Sequence, residues 1–332
     1  MAMVRQAARR GAEVNSLITF ESSSPAVFTE ALELANDLAK AAKSAATQRA
    51  YSSDINIFVE WCRSHGLNPL PAPPAMVGAF LADQAALGKR PSTLGRRLAA
   101  IRYFHRAANE SSPTSEESVK AVLAGIRRTV GAAPVRKKAA TSDIVIAMAA
   151  DTKSLRALRN RVVLLLGFSG AFRRSELVAL NVEDLEETPE GLLITIRRGK
   201  TDQEGLGRKV AIPRGDVACP VEAVKAWREA AGITEGALFR RVWNRRAQRV
   251  GAQRLTARIV AEVVKAGASR LALDPATFGA HSLRSGLVTT AVKRGVNLLK
   301  ICDQTGHKSL EMLRVYCRDA ELFVGNAAAG LL

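Results

Sequence analysis

Residues 131–140, GAAPVRKKAA, separate two stretches rich in regularly spaced apolar residues, and they constrain how the chain can fold. A glycine, a proline and three consecutive cations without periodicity have the composition of a linker. The chain on either side is therefore expected to fold separately. A length of 332 residues supports this, because it exceeds what one hydrophobic core usually serves. The expected organisation is a basic arm over 1–24, a helical domain over 25–130, the linker, a second domain over 141–319 and a tail over 320–332.

Before the linker the apolar spacing is that of helices. FTEALELANDLAKAA opens the series, and TQRAYSSDINIFVEWCRSHG puts Tyr51, Ile55, Phe58, Val59 and Cys62 on one face with Gly66 ending it. PLPAPPA is a loop, and a further helix is predicted from Ala75 to about Leu87. RPSTLGRRLAAIRYFHRAAN follows, with Leu94, Leu98, Ile101 and Phe104 along one side and Arg96, Arg97, Arg102 and Arg106 on the others. The last helix opens at Pro113 with a Thr114-x-x-Glu117 capping box and closes at Gly131. After the linker, helices are predicted near 141–149 and 153–170, then two β-rich runs, Leu192–Ile196 and Lys209–Ile212, around a polar loop. Helices dominate again from Val221 to the end. The fold class expected is mainly α in two domains: an all-helical first domain, and a mixed α+β second domain with a small β-hairpin or sheet.

Charge narrows the partner. Lys plus Arg outnumber Asp plus Glu by 49 to 31, a net charge of +18 that a polyanion would explain. Residues 131–332 hold 33 basic and 20 acidic side chains against 16 and 11 before them, so chemistry on nucleic acid is expected in the second part. The four cysteines, at 62, 219, 302 and 317, form no CxxC pair and no metal-ligand spacing with histidine, which predicts no zinc and a reducing compartment. The longest apolar run, Val162 to Phe172, is 11 residues, too short to span a bilayer, and MAMVRQAARR is basic with no apolar stretch after it. A cytoplasmic protein without membrane contact is the expectation.

Four separated stretches carry the chemistry: GAFRRSELVAL (170–180), RRGKTD (197–202), HSLRSG (281–286) and TGHKSLEMLRVYCR (305–318). Taken singly they have ordinary explanations: an exposed ion pair, a solvated loop lysine, a chance pairing of His and Arg, a core tyrosine. Together and in this order they resemble the tyrosine recombinase (phage integrase) family, closest in style to its Cre-type and Xer-type members, over nearly the whole chain from about residue 25.

The resemblance implies a site made of Arg173 with its acidic companion Glu176, the hairpin lysine Lys200, the pair His281 and Arg284, His307, and the nucleophile Tyr316. It also implies cleavage through a 3'-phosphotyrosyl link that frees a 5'-hydroxyl, then reversal on a partner strand. Physical chemistry agrees with those residue types. Charge builds on the non-bridging oxygens as a phosphodiester is attacked, and planar arginine forks can meet it bidentately, with His307 adding a hydrogen bond. Tyr316, with an ordinary pKa of about 10, needs its proton taken or its phenolate stabilised, for which nearby guanidiniums and His281 as base would serve. Lys200 is the candidate acid for the departing oxygen. No cofactor or metal is expected, since the cations replace one. His65 and His105 are expected to be structural or surface residues.

For DNA contact beyond the site, RLTARIVAEVVKAG resembles the family's major-groove helix, with Thr256 near its start and Arg258 reaching base edges. Arg49, Thr93, Arg96 and Arg97 match positions where relatives grip their site, and Arg136, Lys137 and Lys138 could lie along phosphates. The implied partners are duplex DNA with an inverted-repeat site and a homotetramer on two paired sites, monomeric or weakly dimeric off DNA. The apolar tail would dock on a neighbouring subunit or fold back in cis. Two alternatives stay open: a type IB topoisomerase-like relaxing enzyme, and a non-catalytic DNA-binding regulator.

Overall fold

The computed structural model describes residues 30, 31, 33–35, 37, 38, 42–131, 136–197, 199, 207–243, 249–307, 309–311 and 313. The arm expected over 1–24, Lys200, Tyr316 and the tail over 320–332 lie outside them. The chain divides into two compact units, Met1–Pro134 and Val135–Leu332, each with its own apolar core.

Among the described residues the regular elements of the first unit are all helical. Ser44 starts α1 (Ala45–Ser64) by accepting the Thr47 amide, and Gly66, at φ 68°, lets the chain leave it. Prolines open α2 (Pro74–Ala86) and α3 (Pro91–Ala107), where a missing amide hydrogen costs nothing. Ile55, Phe58 and Cys62 pack with Phe80, Leu94 and Ile101 and with Leu123 and Ile126 of α4 (Glu117–Val130), while Tyr51 and Val59 sit half-buried at the margin. Burial pushes the Cys62 thiol up to about 11, which suits an inert core residue.

Two expectations are corrected here. The Thr114-x-x-Glu117 capping box does not form, because Thr114 is buried in a short 3-10 turn (Pro113–Ser115), where its Oγ1 accepts from Arg102 Nε at 3.0 Å. Arg97 does not belong to an outward basic face. Its side chain is 6% exposed, facing the buried Asp54 carboxylate at 3.7 Å and the Gln84 side-chain oxygen. Arg97 falls on the side of α3 that meets Asp54 of α1 and Gln84 of α2. His105 is likewise internal, with Nε2 accepting the Ala72 amide at 2.9 Å and Nδ1 facing the Ile101 carbonyl at 2.9 Å.

The second unit is built around α6 (Leu155–Ser169), in which Val162, Val163, Leu164, Leu165 and Leu166 are all buried. The longest apolar run is thus a helix covered nearly all round, by α5 (Ser142–Met148), α8 (Pro220–Ala231) and α10 (His281–Lys293). Between α7 (Arg174–Ala179) and α8 lies an antiparallel sheet of β1 (Leu185–Glu187), β2 (Gly191–Ile196) and β3 (Arg208–Pro213), in that order. The predicted pair is β2 and β3, with Ile194 opposite Val210 and Leu192 opposite Ile212. The short, acidic β1 carries too little pattern to announce itself.

Helices do dominate from Val221, but the sequence reading did not foresee a second hairpin among them, β4 (Arg240–Trp243) with β5 (Arg249–Arg254). Its strands are arginine-rich with Val242 as their one fully buried side chain. What holds the hairpin is tertiary: Arg254 donates to the carbonyls of Val178 and Leu180 at 2.8 and 3.0 Å. It leads into α9 (Ala257–Arg270), and α11 (Leu298–Thr305) follows α10.

Residues 136–140, the second half of the expected linker, are pinned to the second unit. Lys138 N donates to Thr277 O at 2.8 Å and Ala140 N to Ser282 O at 2.9 Å, with Ala140 fully buried. Gly286 makes this possible, since a Cβ there would lie 1.8 Å from the Ala140 carbonyl oxygen.

Candidate active site

The site begins where α6 ends. After Gly170 the chain enters the left-handed region at Ala171, φ 47°, a conformation uncommon for a residue with a side chain and found where surrounding structure imposes it. This turn delivers Arg173 to the start of α7. Glu176, 3% exposed, accepts the Arg173 amide with Oε2 at 3.0 Å and the Arg173 guanidinium with Oε1 at 2.6 Å. Arg173-x-x-Glu176 is therefore a buried helix cap and clamp rather than a solvated surface pair.

A second guanidinium serves the same carboxylate. Arg208, the first residue of β3, places Nη2 3.8 Å from Glu176 Oε2 and donates from Nη1 to the Gln304 carbonyl at 3.1 Å. It thereby links β3, Glu176 and the end of α11. Burial pulls its pKa down, with Arg173 adding repulsion and Glu176 opposing both.

Helix α10 supplies the third group. His281 is its first residue, and one turn on Arg284 is buried, donating from Nη1 to the Ala171 carbonyl at 2.8 Å. Its Nη2 meets His307 Nε2 at 2.9 Å. His307 reaches that position because Gly306, at φ 66° and ψ 38°, reverses the chain at the end of α11. Desolvation and the charges of Arg284 and Arg173, with smaller contributions from His281 and Arg208, hold the His307 imidazole down at about 4. His281 is lowered too, by desolvation first and then by Arg284 and Arg173. Both imidazoles are thus driven toward the neutral form.

The structure brings together Arg173, Glu176, His281, Arg284 and His307. Lys200 and Tyr316 fall outside the described residues; three positions before Tyr316, Leu313 is fully buried with Val288, Val292, Ile301 and Cys302. Among the described residues no group of three or more His, Cys, Asp or Glu side chains could hold a metal ion. The sequence reading missed Arg208 and Thr305, whose Oγ1 lies 2.7 Å from His307 Nδ1. A signal for Arg208 existed, since it shares the inward register of β3 with Val210 and Ile212.

The residues expected to contact DNA lie elsewhere. Thr256 is the exposed residue before α9, and Arg258 is 86% exposed, paired with Glu262 at 2.8 Å. Arg49 is exposed on α1 and Thr93 half-buried on α3, while Arg96 keeps half its surface although it bonds Asp54 at 2.9 Å. Arg97 is enclosed in the first unit's core. Arg136 and Lys138 are exposed, and the exposed Lys137 directs its ammonium to the Ala276 carbonyl.

Comparison with known proteins supplies the family. Residues 139–322 match the phage integrase family, and residues 33–111 match the phage integrase N-terminal SAM-like domain. The chain belongs to the phage integrase family. This makes it a tyrosine recombinase, an enzyme of site-specific DNA cleavage and rejoining. A recombinase of this family from Selenomonas ruminantium, an integrase/recombinase XerD homolog, is 36% identical over 288 residues, 85% of this chain and 84% of that one. Tyrosine recombinase XerC of Thermodesulfovibrio yellowstonii is 27% identical over 286 residues, 82% of this chain and 85% of its own length. Among solved structures, the XerH site-specific recombinase bound to a palindromic difH substrate shares the fold. Its TM-score is 0.63 at 20% identity, covering 85% of this chain and 79% of that one. No helix among the described residues is long and apolar enough to cross a membrane.

Proposed function

We propose that this recombinase clamps duplex DNA at an inverted-repeat site and, as a homotetramer on two paired sites, exchanges strands through 3'-phosphotyrosyl links made by Tyr316. The observation that carries this reading is the convergence of Arg173 and Arg208 on one buried carboxylate, with Arg284 and two imidazoles of lowered pKa beside them. Such a group suits a transferring phosphoryl centre, because fixed cations meet the developing charge while a neutral imidazole is ready to take a proton.

In the proposed chemistry the Tyr316 oxygen bonds to phosphorus and the bond to the 5'-oxygen breaks. The phenol proton passes to His281, and Lys200 protonates the leaving oxygen. Arg173 and Arg284 grip the non-bridging oxygens, and Glu176 holds Arg173 in place. No metal or cofactor takes part in this scheme. Rejoining runs the same steps backwards with the 5'-hydroxyl of the partner strand. Thr256 at the start of α9 and Arg258 on it would reach base edges, while Arg49, Thr93 and Arg96 in the first unit and Arg136, Lys137 and Lys138 in the second would hold phosphates. The tail over 320–332 would dock on a neighbouring subunit. An apolar groove of about 490 Å³ in the second unit, lined among others by Val145, Leu165, Phe168, Leu287 and Ile301, offers it a surface.

Footprinting and nick mapping on the flanking genomic DNA should reveal a short inverted repeat around a central spacer. On that duplex Tyr316→Phe should bind almost as wild type and cleave nothing. With sulfur replacing the bridging 5'-oxygen, whose thiolate leaves without a proton, Lys200→Ala should recover much of its lost rate and Arg173→Ala little. Cleavage by the phenylalanine variant, or equal rescue of both others, would refute these assignments.

A further inference from the structure

His307 sits in a chain of hydrogen bonds whose directions follow from donor and acceptor chemistry alone. Every nitrogen of a guanidinium is a donor, so Arg284 Nη2, 2.9 Å from His307 Nε2, requires a lone pair on Nε2. The proton of the neutral ring then belongs on Nδ1, which faces Thr305 Oγ1 at 2.7 Å. The Thr305 hydroxyl gives its own hydrogen back to the Ile301 carbonyl, 2.6 Å away, and accepts from Nδ1 with an oxygen lone pair. The opposite assignment, with Thr305 donating to Nδ1, would turn Nε2–H toward a guanidinium N–H, two donors head to head. An imidazolium meets the same objection.

Thr305 is fully buried, so water cannot replace it as the acceptor. The contact depends on Gly306, whose left-handed backbone folds residue 307 back over residue 305. Groups facing His307 from the surrounding elements are Arg284 and His281 on α10, Arg173 at the start of α7 and Arg208 on β3, and the three guanidiniums can only donate. Glu176 is occupied with Arg173 and Arg208. Arg284 keeps Nε2 free of a proton, and of the described residues Thr305 is the one placed to accept the proton on Nδ1.

We propose that Thr305 is a positioning residue for the recombination reaction: its hydroxyl holds His307 as the Nδ1–H tautomer, so that Nε2 acts as an acceptor that orients the Arg284 guanidinium. This rests on the reading of the site as a phosphate cage. In the DNA-free enzyme, His307 is then a support for an arginine, and the arginine is the group aimed at the phosphate. The arrangement links Ile301, Thr305, His307, Arg284 and Ala171 into one directional series, each member satisfied by the next.

Side-chain nitrogen NMR of the full chain without DNA, near pH 7, should show His307 with its proton on Nδ1. Thr305→Val keeps the shape and removes the acceptor, so Nε2–H should become populated. First-order cleavage of pre-bound site duplex should fall roughly tenfold with less than about twofold change in DNA affinity, the loss expected for one buried hydrogen bond. Thr305→Ser should restore both tautomer and rate. An Nε2–H tautomer in the wild type overturns the proposal, as does a valine variant that loses rate with its tautomer unchanged or changes tautomer at full rate. If the wild type itself fails to cleave, the phosphate-cage reading fails, while the NMR result judges the tautomer separately.

Discussion

Burying the Glu176 carboxylate would be prohibitive without partners, and the site supplies two guanidiniums for it, Arg173 at 2.6 Å and Arg208 at 3.8 Å. Asp54 in the first unit has the same arrangement, with Arg96 at 2.9 Å and Arg97 at 3.7 Å. In the Asp54 pair Arg97 is enclosed while Arg96 keeps surface, whereas at Glu176 both guanidiniums stay partly exposed. The histidines lead to a pH prediction. His307 holds about 4 in the folded unit against an ordinary 6.5, so between those values the unfolded chain binds a proton that the folded one refuses. Stability from this group is therefore complete above pH 6.5 and drains away as pH falls toward 4, and His281, lowered by the same neighbours, acts in the same direction. Urea midpoints should drop between pH 7.5 and 5, and the drop should be smaller in His307→Gln, which cannot titrate. Equal drops would mean that His307 accepts protons freely in the folded protein.

Among elements, α10 does the most positioning, because His281 and Arg284 face the site from one turn while Gly286 lets the helix touch residue 140. A side chain at Gly286 meets backbone, which cannot swing aside as a flexible side chain can. Gly286→Ala should accordingly destabilise the second unit by about 2 kcal/mol, the usual scale of overpacking, read as a lower urea midpoint. It should also slow cleavage, because a shifted α10 carries Arg284 away from the Ala171 carbonyl. A midpoint equal to wild type would show that the 136–140 segment gives way without cost. The arginine-rich hairpin of β4 and β5 makes a contrasting case: its strands bury little, and hydrogen bonds from Arg254 to the last turn of α7 and the residue after it hold it instead.

For the whole molecule, the excess of positive charge in residues 131–332 lies in the unit that holds the site, as expected of a protein that must hold a polyanion against salt. Assembly should depend on the tail. Removing residues 320–332 should leave binding to a single half-site intact and lower cooperative occupancy of a paired site in gel-shift titrations; unchanged cooperativity would indicate docking in cis. What the sequence by itself determined is the helical first unit, the paired strands β2 and β3 and the family, and it singled out Arg173, Glu176, His281, Arg284 and His307, which the fold brings together, because apolar period and motif spacing are local properties of the chain. Lys200 and Tyr316 rest on those motifs alone. Only the tertiary structure separated the buried Arg97 from its neighbour Arg96, brought Arg208 to Glu176, gave the hairpin of β4 and β5 its anchor and set His307 between Arg284 and Thr305. Each of these turns on a partner remote in the chain, such as Asp54 for Arg96, 42 residues away, or Arg284 for His307, 23 away. A side chain's burial and hydrogen-bond direction are set by what arrives beside it, and no periodicity along the chain encodes that arrival.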